Sequence, residues 1–369
     1  MNRSRRGSQA LNRRIRRFFR RRVYESGGQV FFSSPWPRQL TLRGFGLTPR
    51  FDKKRHGARV FVTPFAWLGS FFSRPSRVSA IVVREPFGRM GNQTIQLVHA
   101  VAYAMRWSID KALLPGNTIL TDTTTLSNGL SVSPQVSDVK SVTASRAMNL
   151  TLSPGAPREH LVMNTYFSRE LDTPFSDTEY AEAFDAIANV APLAPTARAL
   201  PERHLVIHLR GGDAFGPHPH MDYAQPPLAF YDLVLEHQAW AQVTIVRADD
   251  SHPLEAELVE KIRARSISVK FQSASAEEDA EFLARARSLV SSRGSFVPAI
   301  VGRSRHTTAL YLFGDERRLR GNLDVYRVTD HTGEFWETCC RRNWHDTPQQ
   351  RELMRSYPAS ELLLSHERR

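Results

Sequence analysis

The sequence predicts an α/β fold built on parallel sheets, and three observations carry that expectation. From Val78 onward, short apolar runs rich in β-branched residues alternate with stretches of helical periodicity. The runs end in glycine-rich or acidic loops, as where Leu205 to Leu209 meets Arg210-Gly-Gly-Asp213. Capping signatures open helices between them, as at Ser275 with Glu278 three residues on.

A chain of 369 residues suits two domains, and a hydrophobic fraction of 41% supports a sizeable core. The net charge of +13 is concentrated at one end. Residues 1–22 hold ten Arg and no Asp or Glu, which leaves the remainder at +3. A nearly balanced body argues against a nucleic-acid groove. Within the arm, Leu11, Ile15, Phe18 and Phe19 recur at helical spacing among arginines, the pattern of a basic helix lying on an anionic membrane surface. A solvated tail and a nucleic-acid arm are the alternatives. The two cysteines, Cys339 and Cys340, are adjacent, so no disulfide framework is expected, and a reducing compartment is favoured. No apolar run reaches the ~18 residues of a membrane span. The longest, Val60 to Phe72, is broken by Thr63, Pro64 and Gly69. These features suggest a cytoplasmic protein, peripheral on a membrane, with neither span nor signal peptide.

Taken in order, residues 1–22 form the arm and residues 23–77 show no sustained period. Residues 78–195 read as a first α/β domain. Its strand Val78 to Val83 runs into Gly88-Arg-Met-Gly91, with Asn92 expected to cap the next helix. Residues 118–150 suggest loops and short strands. Leu161 to Phe167 suggests a strand, Thr178 to Val190 a helix, and Ala191 to Pro195 a linker. Residues 196–315 read as a second α/β domain. Its expected strands are Leu205 to Leu209, Val243 to Val246, Ile267 to Phe271 and one beginning at Leu289. Its expected helices are Tyr231 to Trp240, Leu254 to Arg265 and Ser275 to about Arg287, with another after Ser295 that tolerates Pro298 in its first turn. Residues 316–369 read as a C-terminal tail, weakly patterned after Glu316 and polar from Arg341, with one helix, Pro348 to Tyr357.

Three strand-end loops of the second domain carry the chemistry. Arg210 and Asp213 end one, Asp249 and Asp250 the next, and Ser291 to Phe296 the third. Parallel strands bring such loops to one sheet edge, where ligands bind. A guanidinium fork and a Ser-rich helix start suit phosphate oxygens, and a carboxylate suits the two N–H donors of guanine. Each feature alone has a plain structural alternative: a strand-end cap for Arg210, a solvated turn for the Asp pair, a helix cap for the serines. Their order together points to a nucleoside diphosphate.

Here the sequence resembles the α-1,2-fucosyltransferase family and its bacterial relatives. Gly88-Arg-Met-Gly-Asn-Gln93 looks like its Gly-x-x-Gly-Asn-Gln loop, His208-Leu-Arg-Gly-Gly-Asp213 like its His-x-Arg-x-x-Asp loop, and Asp249-Asp250 like its paired acids. Glu277 to Leu283 followed by Ser291 to Phe296 is similar to its acidic helix and Ser-rich loop. The likeness covers roughly residues 80–315. It implies a GT-B-like fold of two Rossmann-like domains, the C-terminal one holding the donor. It also implies an inverting enzyme that transfers L-fucose from GDP-L-fucose to a glycan or lipid-linked glycan acceptor without a divalent metal. Arg210 and Asp213 would be catalytic, with Asp213 or Asp222 as base or Asp213 orienting His208 and Arg210. His208, Arg210, Asp249, Asp250, Ser292, Ser295, Phe296, Asn92 and Gln93 would hold the donor. Two departures stand out. Gly211 replaces a second Arg, so part of the phosphate grip is either missing or supplied by Arg293 or Arg303. The insert Phe215 to Pro227, with His218, His220, Asp222 and Tyr223, is foreign to the core family and is expected to shape the acceptor side. Another GDP-sugar donor and a non-catalytic binding protein remain open alternatives.

Overall fold

The computed structural model describes residues 78–83, 86, 88–114, 119–120, 122–134, 159–163, 175–314, 319 and 321–368, together with four short strands nearer the N-terminus. Those strands, β1 (Val23–Ser26) with β2 (Gln29–Phe32) and β3 (Thr48–Phe51) with β4 (Ala58–Phe61), pair as two antiparallel hairpins. Ordered pairing thus occurs in a region whose sequence has no sustained period. The basic arm, residues 1–22, lies outside the described residues.

The first sheet has the order β7-β8-β6-β5-β9. Its strands are β5 (Val78–Val83), β6 (Lys111–Leu113), β7 (Thr124–Thr125), β8 (Ser131–Ser133) and β9 (Glu159–Met163), parallel except for the edge strand β7. Helix α1 (Met90–Trp107) links β5 to β6. Leu97, Val98, Ala100, Val101 and Ala104 are all buried, because the helix is covered on more than one side. It starts before Asn92, which therefore sits in its first turn instead of capping it. Helix α2 (Asp177–Val190) opens with a capping box between Ser176 and Glu179. The Glu179 carboxylate also takes both prongs of Arg106 at 2.6 Å, which ties α2 to α1. That hydrogen-bonded guanidinium holds Glu179 down at about 2.

The second sheet has the order β12-β11-β10-β13-β14-β15-β16. Its parallel strands are β10 (His204–Leu209), β11 (Gln242–Arg247), β12 (Ser268–Gln272), β13 (Ser288–Val290), β14 (Ala309–Phe313) and β15 (Asp324–Asp330). Numbered from β10, the order is 3-2-1-4-5-6, that of a dinucleotide-binding sheet. Leu205, Ile207 and Leu209 feed one apolar core and Val206 the other, which is why β10 reads as a continuous apolar run. Helices α3 (Leu228–His237), α4 (Glu255–Ala264), α5 (Ala276–Ala284) and α6 (Phe296–Arg303) join the first five strands. α3 begins at Leu228, behind Pro227, and stops before Trp240, whose indole N–H turns back to the Val234 carbonyl at 3.0 Å.

The sheet does not end near residue 315. β15 adds a sixth parallel strand and β16 (Leu362–Arg368) pairs with it antiparallel along seven residues. Between them run α7 (Glu334–Cys339) and α8 (Pro348–Ser356), the second opened by a capping box at Thr347 and Gln350. Trp344, Phe335 and Met354 join the same core as Leu205 and Ile207. Residues from 321 on are therefore part of the second unit and not a polar tail. The signal is weak because β16 is an exposed edge strand with only Leu362 buried.

One helix belongs to the second sheet by sequence and touches the first by packing. α6 lies against α1 and α2. At its start, a Cβ on Gly91 would stand 2.9 Å from the Phe296 Cα; near its end, a Cβ on Gly302 would enter the Phe184 ring. The segment Ala191 to Leu193 is anchored to its last residue. Arg303 Nε donates to the Ala191 carbonyl at 2.8 Å, and Leu193 N–H donates to the Arg303 carbonyl at 3.1 Å.

Candidate functional site

The strand order reverses between the paired neighbours β10 and β13, from which the next strands, β11 and β14, lie on opposite sides. That is where an open α/β sheet leaves a crevice beyond its strand ends. Arg210 follows β10 there, and Ser291 to Ser295 follow β13. The loop before α1 arrives from the first sheet. The three predicted loops of the second sheet and the Asn92 loop do converge at one edge.

Arg210 is held from three sides. Asp213 takes Nε at 3.1 Å and Nη2 at 2.9 Å in a bidentate pair. The Tyr223 ring lies 3.6 Å beneath the guanidinium carbon. Nη1 points to the Arg293 carbonyl at 3.5 Å, over Gly294. Gly294 has φ +133, a conformation suited to glycine, and a Cβ there would strike Nη1. Asp213 thus serves Arg210, and the oxygens that would accept a proton already hold N–H donors.

His208 faces the α6 side of the same strand end. Its Nδ1 bonds the Ser292 hydroxyl, and its ring lies 5.3 Å from that of Phe296. Burial, reinforced by the Arg210 charge, pushes it down to about 3, so it is neutral near pH 7. Ser291 donates to the Ser292 carbonyl at 2.7 Å, and its N–H bonds Tyr311 of β14, which fixes the loop.

The paired acids have parted. Asp249 Oδ1 accepts from Gly212 N–H at 3.2 Å and from Ser251 N–H at 3.0 Å, and it also takes the Ser251 hydroxyl. The Ser251 oxygen in turn accepts from Gly212 N–H at 2.7 Å. The Ser251 hydroxyl is the main cause of the lowered Asp249 pKa. A Cβ on Gly211 would overlap Asp249 Oδ1, so this carboxylate fills the space that a side chain at 211 would need. Asp250 is exposed beside it. Ser251 was not singled out by sequence reasoning, although Asp-x-Ser is an Asx-turn pattern that would have flagged it.

From the first sheet's loop, Asn92 Oδ1 accepts from the Ser295 hydroxyl. Gln93 turns back to its own loop and donates to the Gly88 carbonyl at 3.0 Å, so it shapes that loop. Ser295 leaves α6 without a side-chain cap, and α1 likewise starts uncapped at Arg89. Two helix starts, each with positive dipole ends, therefore meet here.

The two arginines expected to replace a second guanidinium point elsewhere. Arg293 stacks on Trp336 at 4.8 Å and reaches Cys340. Arg303 is buried at the far end of α6, and burial lowers it to about 10. His218 and His220 are exposed, and the described residues contain no group of three or more metal-ligating side chains. Sequence reasoning names Tyr223 only as part of the acceptor-side insert and not as the ring under Arg210, and it does not name Trp344 behind the insert. Trp344 lies in a region whose sequence pattern is weak.

No family model matches the chain, and no curated protein matches it. Among solved structures it is similar to POFUT1 in complex with GDP, at 12% identity and a TM-score of 0.36, over 66% of this chain and 97% of that one. It is similar also to POFUT1 in complex with GDP-fucose, at 12% identity and a TM-score of 0.35, over 68% and 98%.

Proposed function

We propose that this chain is an inverting glycosyltransferase that moves L-fucose from GDP-L-fucose to a glycan hydroxyl, with the α-1,2 linkage of the family its motifs resemble. In this reading the two sheets organise two Rossmann-like domains in a GT-B-like arrangement. The observation that carries it is the meeting of a chelated guanidinium, Arg210, with the uncapped start of α6 at the switch point of a 3-2-1-4-5-6 sheet.

The chemistry follows from those groups. As the glycosidic bond to GDP breaks, negative charge grows on the diphosphate. Arg210 and the backbone N–H groups of Phe296 and Val297 are fixed positive groups aimed at that charge. Asp213 orients Arg210. Ser292 and neutral His208 hold the wall of the crevice, and Asn92 brings α1 to it through Ser295. Asp250 is the carboxylate available to accept from guanine, since Asp249 closes the loop beneath. These fixed charges offset the leaving group, so transfer needs no divalent cation. The acceptor is a glycan precursor such as a lipid-linked sugar.

A thermal-shift panel of GDP, UDP, ADP and CMP is the first test. GDP should stabilise the protein most, and equal stabilisation by UDP would remove the guanine assignment. Fucose release from GDP-fucose in EDTA should match that with added magnesium. Arg210→Lys should lose ~10²–10³ in turnover, because an ammonium lacks the planar fork. A mutant that keeps wild-type turnover would make Arg210 a strand-end cap.

A further inference from the structure

The insert 215–227 is the part of the crevice that the family resemblance does not explain. It is tightly built. Its Phe215 ring meets His252 and Trp344 edge-on at 4.9 and 5.7 Å. Trp344, fully buried, spans the segment. Its indole N–H donates to the Ala214 carbonyl at 2.7 Å and its backbone N–H to the Met221 carbonyl at 3.3 Å. Tyr223 N–H closes a turn onto the His220 carbonyl at 2.9 Å. Gln225, also fully buried, donates to the Tyr223 carbonyl at 2.8 Å. The His220 ring lies tilted 4.5 Å from the Tyr223 ring. All of this delivers one aromatic face to the underside of Arg210.

We propose that Tyr223 is a positioning residue that fixes the plane of the Arg210 guanidinium, and that the insert is braced by Trp344 for that task. The inference rests on the reading of Arg210 as the group that holds the donor diphosphate. Asp213 alone is a poor tether, because its side chain is 55% exposed and exposed ion pairs are weak. A carboxylate chelate also lets the guanidinium swing about the shared axis. A ring face beneath it removes that freedom, and the attraction between cation and ring adds to the hold. The need is sharper here than with two arginines. Asp249 fills the space beside Gly211, so orientation of the diphosphate falls to a single fork.

The full-length protein with Tyr223→Leu or Tyr223→Phe tests this. Leu keeps apolar bulk but has no ring face, and Phe keeps the face without the hydroxyl. Two readouts are taken: the rate at which phenylglyoxal modifies Arg210, followed by peptide mass spectrometry, and GDP-fucose turnover. Tyr223→Leu should speed modification severalfold and lower kcat roughly ten- to a hundredfold, with the KM for GDP-fucose nearly unchanged. Tyr223→Phe should restore both. Where wild type turns over GDP-fucose, the proposal is overturned if the Leu variant matches it in either readout, or if Phe is as damaging as Leu; equal modification rates of Arg210 in Leu and wild type overturn it in any case. If wild type does not turn over GDP-fucose while the Leu variant still exposes Arg210 to the reagent, positioning stands and the donor reading falls.

Discussion

Asp249 and Asp250 show how adjacent residues of one type divide their work. Asp249 joins the loops after β10 and β11 through Gly212 and Ser251, whereas Asp250 faces solvent. Asp249→Ala should therefore lower stability by about 1–2 kcal/mol, the cost of leaving donors unpaired, as read by urea unfolding without ligand. Asp250→Ala should leave that stability near wild type and abolish the preference for GDP over UDP in thermal shifts. A reversal of the two phenotypes would exchange the assignments. Two imidazoles, the buried His252 and the half-buried His208, add a pH dependence. Burial is the main cause that pushes His208 and His252 from the ordinary 6.5 to about 3. Between those values the unfolded chain binds protons that the folded chain refuses. Their contribution is thus complete above about pH 6.5 and is lost as pH falls toward 3. Unfolding free energy should drop from about pH 7.5 to 5, and His252→Asn should reduce the drop. An equal drop in the variant would place the acid sensitivity elsewhere.

At the scale of elements, α6 depends on two close approaches. Gly302→Ala drives a methyl group into the Phe184 ring and should cost roughly 1–3 kcal/mol, measured by denaturant unfolding, with turnover kept. Gly91→Ala presses on the Phe296 backbone and should cost turnover as well, because it parts Asn92 from Ser295. If Gly91→Ala left turnover intact, contact between the helix starts would be irrelevant to the crevice. Much of this element layer is legible in the sequence. Central parallel strands such as β10 are mostly apolar, and Ser275 with Glu278 announces α5. The capping box of α2 at Ser176 and Glu179 has the same spacing, but the expected helix starts at Thr178 and does not use it. β16 is obscure because an edge strand needs little apolar content, and the supports from Tyr223 and Trp344 are obscure because nothing local to either residue names its partner. The loops of the site could be read as motifs, but the separate duties of Asp249 and Asp250 depend on the Cβ that Gly211 lacks.

For the whole molecule, the charge asymmetry between residues 1–22 and the rest predicts a separable surface function. Deleting 1–22 should leave GDP-fucose hydrolysis intact and reduce sedimentation with anionic vesicles, since each Arg near such a surface contributes ~1 kcal/mol. Indifference of the full-length protein to anionic vesicles would refute a membrane role, and tighter binding to RNA would reassign the arm. No helix among the described residues is long and apolar enough to cross a membrane. The sharing of α6 sets a limit on dissection. A fragment starting at residue 196 would carry α6 with its Gly302 face stripped of Phe184, and Arg303 would lose the Ala191 carbonyl that its buried guanidinium holds. The complementary fragment would bare the sides of α1 and α2 that α6 covers. Neither piece has a finished surface, so the two halves should express as aggregates when made separately and recover solubility when made together. The apparent linker at 191–195 is, in that sense, a packed seam, tied to the end of α6 at Ala191 and Leu193.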